Sequence, residues 1–350
     1  MQPLKLVGHV YDFRMRWLRR NWQWLTGPAV VGLAALICWF IPTGQFLVMP
    51  GEAVSTAGMV TVQSAAKETN AGKLLLVTIY SAPANVDEWL FGRVYPHAHL
   101  LPARTQLPPN TTYERFRHIE EAMMADSQTT AKVVALRQLG YSVPEHGQGV
   151  VADDVQRNTA AAAAGIHKGD LIVAADGQPL ETAQQLIDLV AGMAPGQGLS
   201  LRLKPNNSEA EETLKATLSG RPNQPDKALL GIVPSTYRPT FDFPLLVSID
   251  SKGIIGPSAG LVLALAIMQA ASPGDLTHGH NVAVTGTIDI NGQVGPVGGT
   301  EDKVYGAEGH AEYFLAPKQD LAAAKQAASR IKVVEVDSLQ QAVDFLKTLA

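Results

Sequence analysis

Gly256-Pro257-Ser258-Ala259-Gly260 leads into a nearly unbroken apolar run from Leu261 to Ala271, which Ser272-Pro273-Gly274 stops. A helix that is apolar all round has no solvent face, so other elements must enclose it. That requirement makes this run the interior of a folded domain, with the serine delivered to its first turn by a Gly-Pro bend. Backbone N–H groups at a helix start are unpaired and carry partial positive charge. A serine there has donors nearby that can stabilise an oxyanion. It still needs a base, because a free hydroxyl is a weak nucleophile. These five residues have the Gly-x-Ser-x-Gly spacing, but a loop, Lys252–Pro257, leads into them where a strand-to-helix elbow needs a strand, which leaves the α/β-hydrolase reading without support. The candidate base is Lys303, in Gly298-Gly299-Thr300-Glu301-Asp302-Lys303.

Around these motifs the spacing predicts an α+β domain. Leu245–Asp250 and Asn281–Ile290 read as strands, Asn291-Gly292 as a tight turn, and Gly295–Gly299 as a glycine-rich turn. Thr300–Glu308 reads as a helix with Thr300 as its N-cap. Tyr313–Ala316 and Lys332–Val336 are further strands, with helices near Asp320–Ser329 and Ser338–Leu346.

The chain begins with a basic, tryptophan-containing segment, residues 1–27, followed by the charge-free run Pro28–Met49. About 20 apolar residues span a bilayer as a helix, so residues 28–49 are expected to form a transmembrane helix. Its basic flank would be cytoplasmic and the rest of the chain extracytoplasmic. A cleaved signal peptide is the rival reading. Residues 50–127 are read as a separate region: strands at Met59–Val62 and Lys73–Tyr80, an irregular Pro83–Thr112, and a helix over Tyr113–Leu139. His97 and His99 could ligate a metal, but no third ligand is evident, and the bland reading is a surface loop. Net charge is −4 over 350 residues, which offers nothing for a nucleic-acid partner. The single cysteine, Cys38, excludes a disulfide framework within the chain.

Gly149–Leu203 is a second module, with a strand at Val150, an alanine-rich helix ending at Gly165, an Asp176-Gly177 hairpin turn and an amphipathic helix over Ala183–Val190. Its order, Ala-Gly-Ile-x-x-Gly-Asp-x-Ile followed by Asp-Gly-Gln-Pro, resembles PDZ domains and sets this domain at 128–220. Such domains bind extended peptides by strand addition. Leu139-Gly140-Tyr141 is one candidate for a carboxylate-binding loop. Pro205–Lys227 carries a last strand near Glu212–Leu218, then a linker.

Gly-Pro-Ser-Ala-Gly, Thr285-Gly286-Thr287-Ile288, Gly295-Pro296-Val297-Gly298-Gly299 and Lys303 together resemble the proteolytic domain of Lon-type serine proteases, over 228–350. With the upstream features, the whole chain is similar to the membrane-anchored PDZ–Lon-like proteases of bacteria, the YlbL type. The resemblance implies a serine–lysine dyad: Ser258 as nucleophile and Lys303 as general base, with Thr285 bonding the amine and Gly256, Pro257 and Ala259 shaping the turn. It implies no cofactor and no metal. The expected partners are protein or peptide substrates and the membrane, and ring-shaped homo-oligomers are known in the family. A lysine serves as base only if its pocket favours the neutral amine, so Glu301 and Asp302 are expected to point away from it. Many members carry an acidic residue or glycine before Gly-Pro-Ser; this chain has Ile255. The chain also lacks a phosphate-binding Gly-x-x-x-x-Gly-Lys-Ser/Thr loop, so cleavage without ATP is expected. The rival to a protease is a tethered PDZ scaffold with an inactive Lon-like domain. A Ser258 triad with Asp275, His278 or His280 is disfavoured, because they follow the far end of the apolar helix.

Overall fold

The structure is a computed structural model that describes residues 27–33, 36–63, 71–208 and 210–350. The chain forms two compact units. One combines the N-terminal part up to Leu139 with Leu246–Ala350, and the other is Gly140–Leu245.

The first unit is built on a six-stranded mixed sheet. Its strands are β1 (Pro42–Ser55), β2 (Lys73–Asn85), β3 (His99–Pro102), β4 (Asn281–Val284), β5 (Tyr313–Pro317) and β6 (Lys332–Val336). Their spatial order is β6-β5-β4-β2-β1-β3. β4 lies between β5 and β2 and runs parallel to both, with Val282 opposite Leu74 and Val284 opposite Leu76. β1 pairs antiparallel with β2 and β3. The sheet therefore takes three strands from each side of the inserted unit. The helices are α1 (Val86–Val94), α2 (Tyr113–Gln138), α3 (Gly260–Ala271), α4 (Thr300–Ala307), α5 (Leu321–Ala327) and α6 (Leu339–Lys347). Every residue of α3 from Gly260 to Ala270 is buried, as its all-apolar surface requires. α2 packs along it through Ala131 and Val133–Leu136.

Several expectations change here. No helix among the described residues is long and apolar enough to cross a membrane. Residues 27–33 and 36–39 are helical, but the end of the expected Pro28–Met49 span is strand. Phe46, Leu47 and Val48 of β1 are all at most 6% exposed. A strand covered on both faces reads as a continuous apolar run, and such a run alone does not separate strand from helix. The basic residues of 1–26 lie outside the described residues. The region 50–127 is not separate, because β2 and β3 belong to the same sheet as β4–β6. Pro83–Thr112 is not irregular: Asn85 and Glu88 form a capping box that starts α1. The predicted Asn281–Ile290 strand breaks at Gly286 (φ 152°), leaving Asn281–Val284 and Thr287–Ile288.

The second unit runs from Gly140, not 128, because residues up to Gln138 complete α2. Its main strands are ordered Glu212–Thr217, Gly198–Lys204, Leu171–Ala175, Val150–Val155 and Ile232–Thr236. Ile172, Leu186, Leu199, Leu201 and Leu203 fill the core. The alanine helix ends at left-handed Gly165 (φ 86°). The Asp176-Gly177 turn has both φ angles positive, 46° and 79°, as a tight hairpin needs. Beyond Thr217 the chain is not a loose linker: Ser219–Arg221 and Gln224–Leu229 pair, and Ile232–Thr236 joins the sheet. The first unit resumes only at Leu246, not at 228.

Candidate active site

Ser258 sits in a single 3-10 turn, Pro257–Ala259, that opens into α3. Gly256 before it has φ 92°, a left-handed value that favours glycine. Its N–H donates to Glu120 O of α2 (3.1 Å), and the Ser127 hydroxyl donates to Pro257 O (3.1 Å), so α2 holds the turn at two points. Leu261 N–H donates to Gly286 O (3.1 Å), and Gly286 N–H to Ser258 O (3.0 Å). The break after β4 is thereby stitched across the start of α3. Gly260 N–H is already taken by Pro257 O, which leaves the Ser258 and Ala259 amides as candidate donors for an oxyanion.

Lys303 lies in the first turn of α4 and is 2% exposed. Its Nζ donates to Thr285 Oγ1 at 3.0 Å, and the Thr285 hydroxyl donates to Ser258 O at 3.4 Å. Thr285, just past β4, thus links the amine to the backbone of Ser258. Burial pushes the Lys303 amine down to about 8 from its usual 10.5, against the opposing pull of the Asp320 carboxylate. Ser258, Thr287 and Lys303 all line one cleft of about 620 Å³, with Leu76, Ile79, Phe116, Met123 and Ile254 as apolar walls. Ile255 also lines it. Among the described residues no hydrogen bond joins the Ser258 hydroxyl directly to the amine; both residues line the same cleft, and Thr285 ties the amine to the Ser258 backbone carbonyl.

The sequence residues Gly256, Pro257, Ser258, Ala259, Thr285 and Lys303 are therefore brought together. Thr300 is not the N-cap of α4. Gly299 is, in a left-handed conformation (φ 65°), while Thr300 Oγ1 is buried without a hydrogen-bond partner. Glu301 is exposed, and Asp302 is buried and faces His99 (3.5 Å). Burial raises the Asp302 carboxyl, and His99 and His97 pull it down. His97 stacks on Tyr305 at 3.8 Å. No group of three or more metal-ligating side chains occurs among the described residues. The Asp275, His278 and His280 alternative is not assembled. Asp275 accepts from Gly72, Thr277 and Gly279 to shape its own loop, and His280 pairs with Glu312 at 2.8 Å.

Two residues of the site escaped the sequence. Asp320 accepts from Val297 N–H (2.8 Å), so it both holds the glycine-rich turn and sets the charge felt by Lys303. Glu120 puts a carboxylate into the cleft beside Gly256, and burial keeps its carboxyl above the ordinary value. Both come from distant elements, and neither stands in a motif that marks it. Asp320→Asn should lower the Lys303 pKa below about 8, because the cation loses its stabilising charge. The alkaline-rising limb of any Lys303-dependent rate should then move to lower pH. An unmoved limb in the pH–rate profile would show that Asp320 acts only on the turn.

In the inserted unit, Ile232–Thr236 is the terminal strand of the sheet, antiparallel to Val150–Val155. Thr236 Oγ1 accepts from Ala183 N–H at the start of the Ala183–Ala191 helix (2.9 Å). The free strand edge therefore lies beside this helix. Leu139 caps α2, and Gly140 (φ 87°) and Tyr141 follow it as a turn and irregular chain.

Residues 251–347 match the family described as the Lon protease (S16) C-terminal proteolytic domain, and residues 137–216 match the PDZ domain family. The chain carries a PDZ domain and a Lon-type proteolytic domain. Lon protease 2 of Bacillus subtilis (strain 168) is 31% identical over 116 residues, 33% of this chain and 20% of that protein. Lon protease of Malacoplasma penetrans (strain HF-2) is 31% identical over 161 residues, 44% of this chain and 20% of that protein. The chain thus spans a fifth or less of the curated relatives it matches. Among solved structures, the PDZ domain of an SdrC-like protein from Listeria innocua is 26% identical over 25% of this chain and 92% of that one, with a TM-score of 0.22. The Lon-type match begins at residue 251, so it leaves out β1–β3, which complete the sheet.

Proposed function

We propose that this chain is an ATP-independent, membrane-anchored serine endopeptidase whose Lon-type domain cleaves unfolded or flexible extracytoplasmic protein segments. The observation that carries the reading is Lys303: buried, shifted down to about 8 and tied through Thr285 to the residue that bears the hydroxyl. The neutral amine takes the Ser258 proton as Oγ attacks the scissile carbonyl, and then gives that proton to the leaving amine. Water releases the acyl group by the reverse sequence. Serine–lysine pairs are an attested variant of the triad arrangement. An extended peptide adding to the Ile232–Thr236 edge would give the PDZ domain its part in substrate capture.

The anchor in this reading has a different register from residues 28–49. With Pro42 onward in β1, the charge-free stretch that remains is Asn21–Ile41, bounded upstream by Arg19 and Arg20. Its 21 residues match the count that a spanning helix needs, and the arginines favour a cytoplasmic N-terminus.

The test is casein cleavage by the full chain in detergent, without nucleotide, beside Ser258→Ala. Cleavage by the parent should fall at least about 10³-fold in the variant, as for nucleophile removal in other serine peptidases. Equal cleavage by both would refute the mechanism. The scaffold reading has one observation in its favour, the Ile255 that replaces the usual residue before Gly-Pro-Ser. It requires that Ser258 fail to react with a fluorophosphonate.

A further inference from the structure

Helix α1 is inside out. Its inward contact is Gly92, where an added Cβ would meet Leu47 and Leu100 at 2.8 and 3.2 Å. Leu90 and Val94 stand four residues apart, on the side opposite Gly92 by the helical period. They are 53% and 80% exposed. Phe91 and Tyr95 flank them, 43% and 44% exposed, with ring centroids 4.9 Å apart. On the other flank the Arg93 guanidinium lies 4.4 Å from the Trp89 ring, whose Nε1–H donates to Gln45 (3.0 Å). A water-facing helix would carry polar residues where this one carries leucine, phenylalanine and valine.

Something specific lies next to this face. Val86 N–H, the first amide of α1, donates to Ile41 O (3.1 Å). Ile41 ends the N-terminal apolar stretch, in which Leu36, Ile37, Trp39 and Phe40 are likewise exposed, Phe40 by 75%. At 1.5 Å per residue, α1 extends about 14 Å from that junction. Two unpartnered apolar surfaces are therefore continuous, joined by a backbone hydrogen bond.

We infer that α1 is an interfacial helix that lies in the surface of the bilayer, with Leu90, Phe91 and Val94 among the upper acyl chains. Apolar faces of such helices sink about 5–10 Å below the headgroups. Tryptophan, tyrosine and arginine at its flanks are the residue types suited to headgroup depth. With a spanning segment attached at Ile41, α1 gives the proteolytic unit a second contact with the membrane. That contact fixes the unit's orientation instead of leaving it to swivel on one strand. The inference rests on the anchor reading above.

The experiment uses the full chain with Cys38→Ser, reconstituted into vesicles of phosphatidylcholine and phosphatidylglycerol. An NBD fluorophore is placed at Val94→Cys or, as a water-facing control, at Lys325→Cys, an exposed position in α5. Flotation with the vesicles reads the anchor. Bromine-labelled acyl chains and aqueous iodide read the environment of α1. The expected result is several-fold stronger quenching by bromolipid at position 94 than at position 325, with protection from iodide. A chain that floats while position 94 remains open to iodide overturns the inference and leaves the anchor standing. Protection from iodide without bromolipid quenching assigns the face to a second copy and also overturns it. A chain that does not float removes the anchor, and this inference with it.

Discussion

Replacing Lys303 with methionine should abolish peptidase activity and, at neutral pH, raise the melting temperature of the proteolytic unit. The two effects have one cause. The amine is buried, and burial lowers it to about 8 from its usual 10.5. Below pH 8 the folded protein must carry an ammonium where an uncharged amine is preferred, whereas the unfolded chain carries it in water. Stability therefore rises as pH climbs from about 8 towards 10.5, and the folded state is penalised at lower pH. The pKa difference corresponds to about 3 kcal/mol. Methionine has a similar length and no charge. It gives up the hydrogen bond to Thr285, worth about 1 kcal/mol, but the Thr285 hydroxyl keeps its bond to Ser258 O. The net gain of about 2 kcal/mol corresponds to roughly 4–8 °C for a unit of this size. The gain should shrink between pH 8 and 10.5 as the wild-type amine becomes neutral in both states. Activity should fall by a factor of about 10³ or more with the base gone. Thermal melts of both proteins across that pH range, paired with casein cleavage, check both halves. A lower melting temperature at pH 7 would mean that Lys303 is a stabilising charge, and the amine would not be a base.

The conflict between stability and chemistry at one lysine was legible in part. A glycine-rich turn followed by a short helix puts Lys303 at a helix start, where the dipole disfavours its charge, and the resemblance paired it with Ser258 and Thr285. What one sequence does not reveal is how the amine is buried or what opposes that burial. Asp320 acts on Lys303 from beyond β5, and its only local sign is its place just before α5. Glu120 reads as one more charge on an exposed helix until α2 is laid against α3. The N-terminal half misled for a related reason. Phe46-Leu47-Val48 is apolar because helices pack on the faces of β1, among them α1 and α4, and the same three residues fit the end of a membrane span equally well. The inserted unit was far easier, since its hairpin turn, glycine cap and helix are local devices that act within a few residues.

The topology makes a second prediction with an all-or-none readout: residues 228–350, the stretch with the Lon-type signature, should not fold alone. In the intact chain β4 is an interior strand, and Val282, Ala283 and Val284 are at most 1% exposed. Its parallel neighbour β2 is supplied from about 200 residues upstream in the sequence, through the Val282–Leu74 and Val284–Leu76 pairings. Cutting the chain at 228 removes β1, β2 and β3, turns β4 into an apolar edge and uncovers the side of α3 that α2 seals. Leu74, Leu75, Leu76 and Val77, each at most 4% exposed, leave the core at once. At about 1.5–3 kcal/mol per fully buried aliphatic side chain, those four alone account for roughly 6–12 kcal/mol, comparable with the whole stability of a typical domain. The Ser258 turn also loses the Glu120 and Ser127 contacts that fix it. Deleting Gly140–Leu245 and closing the gap with a flexible linker should leave the unit folded, because the sheet, α2, Ser258 and Lys303 all lie outside that segment. Circular dichroism melts of the two proteins decide the matter. A cooperative transition in the 228–350 fragment would mean that the first 139 residues decorate a self-sufficient domain. Its absence, with a cooperative melt in the internally deleted chain, would make the proteolytic unit a discontinuous fold whose Ser258 turn is positioned by residues far ahead of it in the chain.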